Sequence, residues 1–181
     1  APSAAGSAGV SADLIFMARA KPGAFNVAAG PAGSTTFLAA ELFRVLARVD
    51  IVRVPYKGNV PGLNALVGGE VQLMFANPTA AAPHVKSGKL NALAVTSAQP
   101  SALLPGLPTV AASGLPGYEA VAMLGVFAPA KTPALLVNRL NQEIVRVLKQ
   151  ADVNEKFLRI GVEPVGSSAK EFGAAVKSEM P

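Results

Sequence analysis

The sequence predicts an α/β fold with a mainly parallel sheet covered by helices. Short apolar runs alternate with amphipathic stretches, and the connections between them are brief, as in strand–helix–strand units. The 181 residues include 17 glycines and 15 prolines, spread along the chain, which marks frequent turns rather than low complexity. A hydrophobic fraction of 51%, with only 15% charged residues, excludes a disordered chain. No window holds 18 uninterrupted apolar residues, so no transmembrane helix is predicted.

The elements follow in order. Ser11 is placed to cap a helix over SADLIFMARAK, with Asp13 near its positive end, and Lys21-Pro22-Gly23 stops it. FNVAA (25–29) reads as a short buried strand. The turn from Gly30 to Thr36 opens a helix over 34–49, where Leu38, Leu42, Val45 and Leu46 form one apolar stripe. IVRVPY (51–56) is a second strand. Pro61 suits the first turn of a helix over 60–68, closed by Gly68-Gly69. VQLMF (71–75) is a third strand, followed by a turn at Asn77-Pro78-Thr79 and a helix near 79–87. LNALAVT (90–96) is a fourth strand, and a Pro/Gly-rich loop runs from Pro100 to Gly117. EAVAMLGVFAP (119–129) reads as an extended crossover. Thr132-Pro133 starts a helix with Leu136, Leu140, Ile144 and Val147 on one face. Helices near 152–160 and 168–179 follow, joined by a strand at VEPV (162–165). The pattern divides the chain into 1–124 and 125–181.

Composition narrows the chemistry. There is no cysteine and one histidine, His84, so disulfides, thiolate sites and a histidine-built metal centre are excluded within one chain. No metal and no cofactor is implied. The net charge of +5 favours acidic partners. The basic residues are scattered, without interleaved aromatics, which argues against nucleic acid and for a small anion.

Three loops carry the chemistry. GPAGSTT (30–36) follows a strand and opens a helix. Its backbone N–H groups and the hydroxyls of Ser34, Thr35 and Thr36 can hold an anion without a cation, although a bare helix cap would look the same. Val54-Pro55-Tyr56-Lys57-Gly58 ends the second strand, where Lys57 can attract an acid. Phe75-Ala76-Asn77-Pro78-Thr79 ends the third, and Asn77 offers both donor and acceptor. Ligands of open parallel sheets sit beyond the carboxyl ends of the strands, so three such loops on one edge favour a binding site over three unrelated turns. Acid–base machinery is thin. Glu41 lies inside a helix, Glu70 lies beside Gly69, and His84 has no nearby acid in APHVKSGK. An enzyme using Ser34 or Thr35 would have only His84 or Lys57 as base.

The motifs GSTTFLAAELF, VPYKGNVPGLNALVGGEVQLMFAN, PHVKSGKLNALAVTS, LPTVAASGLPGYE and FAPAKTPALLVNRLNQEI, in this order, resemble the Bug-type extracytoplasmic solute receptors of tripartite tricarboxylate transporters. The resemblance spans about residues 11–179. It implies a periplasmic-binding-protein-like (type II) lobe, a small organic acid as ligand, membrane transporter subunits as partners, a periplasmic location and no catalysis. By motif, Gly33, Ser34, Thr35 and Thr36 match the carboxylate loop. Tyr56, Lys57 and Gly58 match the segment beside the cleft, and Asn77, Pro78 and Thr79 match the loop after the third strand. The resemblance further implies that 1–124 is the second ligand-binding lobe, and that 125–181 is a crossover with C-terminal helices that return to the first lobe. The opening strand and Gly-rich cleft loop of a first lobe are not found, so a truncated or shortened form is expected. The apolar face of 125–181 then leaves a homodimer, or a module that oligomerises without binding, as arrangements to test. Ala76 stands where many relatives carry an acidic or polar residue, which favours a plain carboxylate over an amino acid.

Overall fold

A computed structural model describes residues 13–179. The expected cap at Ser11 lies outside the described residues. The chain divides into two compact units, Ala1–Ala122 and Met123–Pro181.

In the first unit, helix α1 is described over residues 13–20. Strand β1 (Asn26–Ala29), helix α2 (Thr35–Ala47), strand β2 (Val52–Pro55), helix α3 (Asn59–Val67), strand β3 (Leu73–Met74) and helix α4 (Pro78–Lys86) follow. The sheet has the order β2-β1-β3 and is parallel throughout. Asn26 pairs with Val52 and Ala29 with Pro55 on one side of β1, while Val27 pairs with Leu73 and Ala28 with Met74 on the other.

Alternation along β1 divides the core, because successive strand residues face opposite sides of a sheet. Val27 packs with Ala40, Phe43 and Ala47 of α2, together with Ile15, Val110, Leu115 and Tyr118. Ala28 packs with Ala65 and Val71, beside Val54, Leu66 and Met74. Helix α2 therefore covers one face, and α3, with α4 beside it, covers the other. Phe43, Phe75 and Tyr118 form an aromatic cluster, with the Phe43 and Phe75 centroids 5.7 Å apart. The Tyr118 hydroxyl donates to the Ala39 carbonyl at 3.0 Å, which ties the chain after the long loop back to α2. Arg19 Nε donates to the Ala47 carbonyl at 2.9 Å, satisfying a group the end of α2 leaves open.

Three expectations are corrected. LNALAVT forms no fourth strand of the sheet; Val95 makes one isolated parallel bridge to Thr109. Val95 N–H donates to the Pro108 carbonyl, but Pro108 has no N–H with which to extend a ladder. VEPV (162–165) is irregular rather than a strand, and Pro164 withdraws a donor there too. In α2 the buried face is Ala39, Ala40, Phe43 and Ala47, whereas Leu38 and Val45 of the apolar stripe are 55% and 60% exposed. Small residues let α2 approach the sheet closely, and that contact outweighs the larger side chains on its flank.

In the second unit, an irregular apolar segment leads into helices α5 (Ala134–Leu148), α6 (Ala151–Arg159) and α7 (Ala169–Glu179). Asn141 Nδ2 donates to the Ser167 carbonyl, and Phe127 packs on Phe172 at 5.3 Å between centroids. No helix of the described residues is long and apolar enough to cross a membrane.

Burial pushes the Tyr118 phenol well above its ordinary value of 10.0. The folded state thus keeps this phenol neutral where the unfolded chain ionises it, so its contribution is full below pH 10 and is lost as the pH rises beyond. Tyr118→Phe is expected to cost about 1 kcal/mol at neutral pH, read from urea unfolding, for the lost hydrogen bond. The same variant should lose stability less steeply than the parent above pH 10. Parallel pH profiles would contradict this.

Candidate ligand-binding site

Three parallel strands bring their carboxyl ends, and hence their following loops, to one edge of the sheet. The order β2-β1-β3 places the Gly30–Ser34 turn in the middle. Tyr56–Gly58 lies on one flank and Phe75–Asn77 on the other. Because α2 leaves β1 toward one face and α4 leaves β3 toward the opposite face, β1 and β3 bound a topological switch point, where such sheets open a crevice.

The central turn is closed by its own polar groups. Gly30 N–H donates to Thr36 Oγ1 at 3.0 Å, and Phe37 N–H donates to Ser34 Oγ at 3.3 Å, which makes Ser34 the cap of α2. Ser34 Oγ and Thr36 Oγ1 are 3.3 Å apart. One hydroxyl hydrogen is used between them, so the pair retains one hydroxyl hydrogen for another acceptor. A Cβ at Gly30 would lie 2.5 Å from Ser34 Oγ and 2.8 Å from Thr36 Oγ1, so a larger residue there must displace one of these hydroxyls. Gly33, exposed, precedes the cap, and Thr35 is exposed as the first helical residue. The Thr35 and Thr36 N–H groups belong to the first turn, which has no intrahelical acceptors, and among the described residues neither has a partner. Helix polarity adds positive character at the same point.

The flanking loops differ in role. Tyr56 is half-buried against Ala28, Ala65 and Val71, and its N–H donates to the Ala29 carbonyl at 2.8 Å. Its ring is a wall of the core as much as a rim. Lys57 is exposed. Gly58 takes φ +105° as the chain turns into α3, a conformation that favours glycine, and it offers α3 no side-chain cap. Asn77 caps α4: Thr79 N–H and Thr79 Oγ1–H donate to Asn77 Oδ1 at 3.0 and 2.6 Å. Pro78 occupies the first turn, where its missing N–H costs nothing.

Two residues outside the sequence-based set shape this edge. Asn59 Oδ1 accepts from the Asn77 N–H at 3.4 Å, joining the second and third loops. Arg53 lies 4.3 Å over the Phe37 ring and pairs with Glu41 at 2.7 Å. Glu41 also binds Arg44 at 2.8 Å, and that hydrogen bond, with both guanidinium charges, holds its carboxyl below the usual range. No local motif announces either contact, since each depends on which strands are neighbours. The three loops carry one cation, Lys57, and no carboxylate. Among the described residues no group of three His, Asp or Glu side chains could hold a metal ion.

Residues 3–180 match the model of the tripartite tricarboxylate transporter family receptor. Protein BugT of Bordetella pertussis is 36% identical over 167 residues, which are 92% of this chain and 51% of BugT. The R. palustris protein Rpa4515, solved with adipate, superposes with a TM-score of 0.78 at 38% identity, over 93% of this chain and 56% of that one. The periplasmic binding protein BugD superposes with a TM-score of 0.71 at 28% identity, over 93% and 57%. The chain thus spans about half the length of BugT and of these structures, and its helices and parallel sheet form the α/β fold of a periplasmic binding protein. The chain belongs to the tripartite tricarboxylate transporter family of receptors.

Proposed function

We propose that this chain is the carboxylate-holding part of an extracytoplasmic receptor, which binds a small organic acid without turnover and delivers it to membrane subunits of a tripartite transporter. The observation that carries this reading is the sheet edge itself. Open first-turn amides at Thr35 and Thr36 and a spare hydroxyl hydrogen shared by Ser34 and Thr36 lie there, Lys57 is on the flanking loop, and none of the three loops carries a carboxylate to oppose an anion. Neutral donors hold a carboxylate at low desolvation cost, and bridging water lets one frame accept several acids. The adipate bound by Rpa4515 supports a dicarboxylate as the class to test first. Ala76 adds no charge beside Asn77, which suits an acid without an amino group. Ser34 acts as a cap rather than a nucleophile, because its oxygen accepts the Phe37 N–H and no base bonds it among the described residues.

The first unit is proposed as the second lobe of such a receptor, and Met123–Pro181 as the segment that docks on the other lobe or, in its absence, on a second copy. Supporting this, none of its described residues is buried, and Leu135 and Val165 are 84% and 86% exposed.

Titration calorimetry should give saturable heat with adipate and none with its neutral diamide. Lys57→Gln should weaken adipate about threefold to tenfold, the scale of one charge-assisted contact near a surface. Equal heats for acid and diamide would overturn the reading. Gly30→Ala should destabilise the fold by about 1–2 kcal/mol, since Ser34 or Thr36 must abandon its bond to make room, and should weaken adipate as well. A variant with parental urea unfolding and parental affinity would contradict the assigned turn geometry.

A further inference from the structure

The side chain of Asn59 joins the two outer loops of the edge. Asn59 is the first residue of α3 and half-buried, and its Oδ1 accepts the backbone N–H of Asn77, the cap of α4. Asn77 is thereby held at two points, since its own Oδ1 accepts both the N–H and the hydroxyl of Thr79. That pairing orients the carboxamide: with the oxygen engaged, the Asn77 Nδ2 group keeps two N–H donors that have no acceptor among the described residues. Lys57 stands two positions before Asn59 on the other side of the same tie. Lys57 and the Asn77 carboxamide are donors on the two outer loops, and the Asn59–Asn77 bond, at 3.4 Å, links those loops.

We infer that Asn59 is a positioning residue that sets the separation of these two donors and through it the length of dicarboxylate the site prefers. The inference rests on the carboxylate-receptor reading. A dicarboxylate that meets donors at both ends is selected by the distance between them, and a rim that can shift relaxes the selection. Asn59 itself need not touch the ligand. Its effect falls on discrimination between acids more than on affinity for any one, which separates positioning from a contact role.

The test uses the full chain and the acids succinate, glutarate and adipate, with affinities from calorimetry and the Asn77 amide followed by hydrogen exchange. Asn59→Leu and Asn59→Ala remove the acceptor. They should flatten the preference among the three acids about threefold to tenfold, as expected for the loss of one hydrogen bond, and speed exchange at the Asn77 amide. Asn59→Asp keeps the acceptor and adds negative charge, so it should preserve the order and spacing of preference while weakening all three acids. Unchanged preference in a folded Leu or Ala variant overturns the inference, and so does a changed preference in the Asp variant. Absence of binding of all three acids to the parent chain would instead remove the receptor reading, and this inference with it.

Discussion

Strand β1 is the constraint on which the rest depends. It pairs on both sides, and three of its four residues are buried. A strand covered on both faces carries an unbroken run of apolar side chains, and Val27-Ala28-Ala29 does. Its central place has two consequences. Val27 and Ala28 seed separate halves of the core, so α2 and α3 must lie on opposite faces. Its carboxyl end must deliver the Gly30 turn to the middle of the sheet edge. Tyr118 completes the frame from far along the sequence by bonding Ala39 of α2.

The candidate site follows from this frame with little further machinery. A parallel sheet aligns helix starts at one edge, and helix starts expose donors. Ser34 satisfies Phe37, Asn77 satisfies Thr79, and Gly58 leaves α3 without a side-chain cap. The caps are sparing enough that amides remain for a ligand. Other cationic residues have acidic partners: Arg44 and Arg53 share Glu41, Arg139 and Arg146 share Glu143, Lys156 pairs with Asp152 and Arg159 with Glu155. Lys57 enters no ion pair among the described residues and is exposed at the edge proposed to take an anion.

Much of this is legible in the residues. Glycine and proline punctuate the first three strands and helices clearly, and the strand-end position of each loop follows from that alternation. Failures arise where pairing rather than pattern decides. LNALAVT has the composition of a strand, yet its neighbour is the Pro108 segment, which cannot sustain a ladder. The Leu38 stripe has a helical period, yet the sheet prefers the alanine face of α2. The Asn59–Asn77 tie is not legible in the sequence for the same reason. The two residues are 18 positions apart, and only the order β2-β1-β3 brings the starts of α3 and α4 together.

The proposed site holds an acid at the start of α2, at the middle of the sheet edge. The most direct measurement is residue-resolved amide chemical shifts of the full chain during addition of adipate. Saturable shifts are expected to concentrate at Gly33, Thr35 and Thr36, with smaller ones at Lys57 and Asn77 and none along α6. Saturable shifts confined to residues away from the carboxyl ends of β1, β2 and β3 would contradict this site.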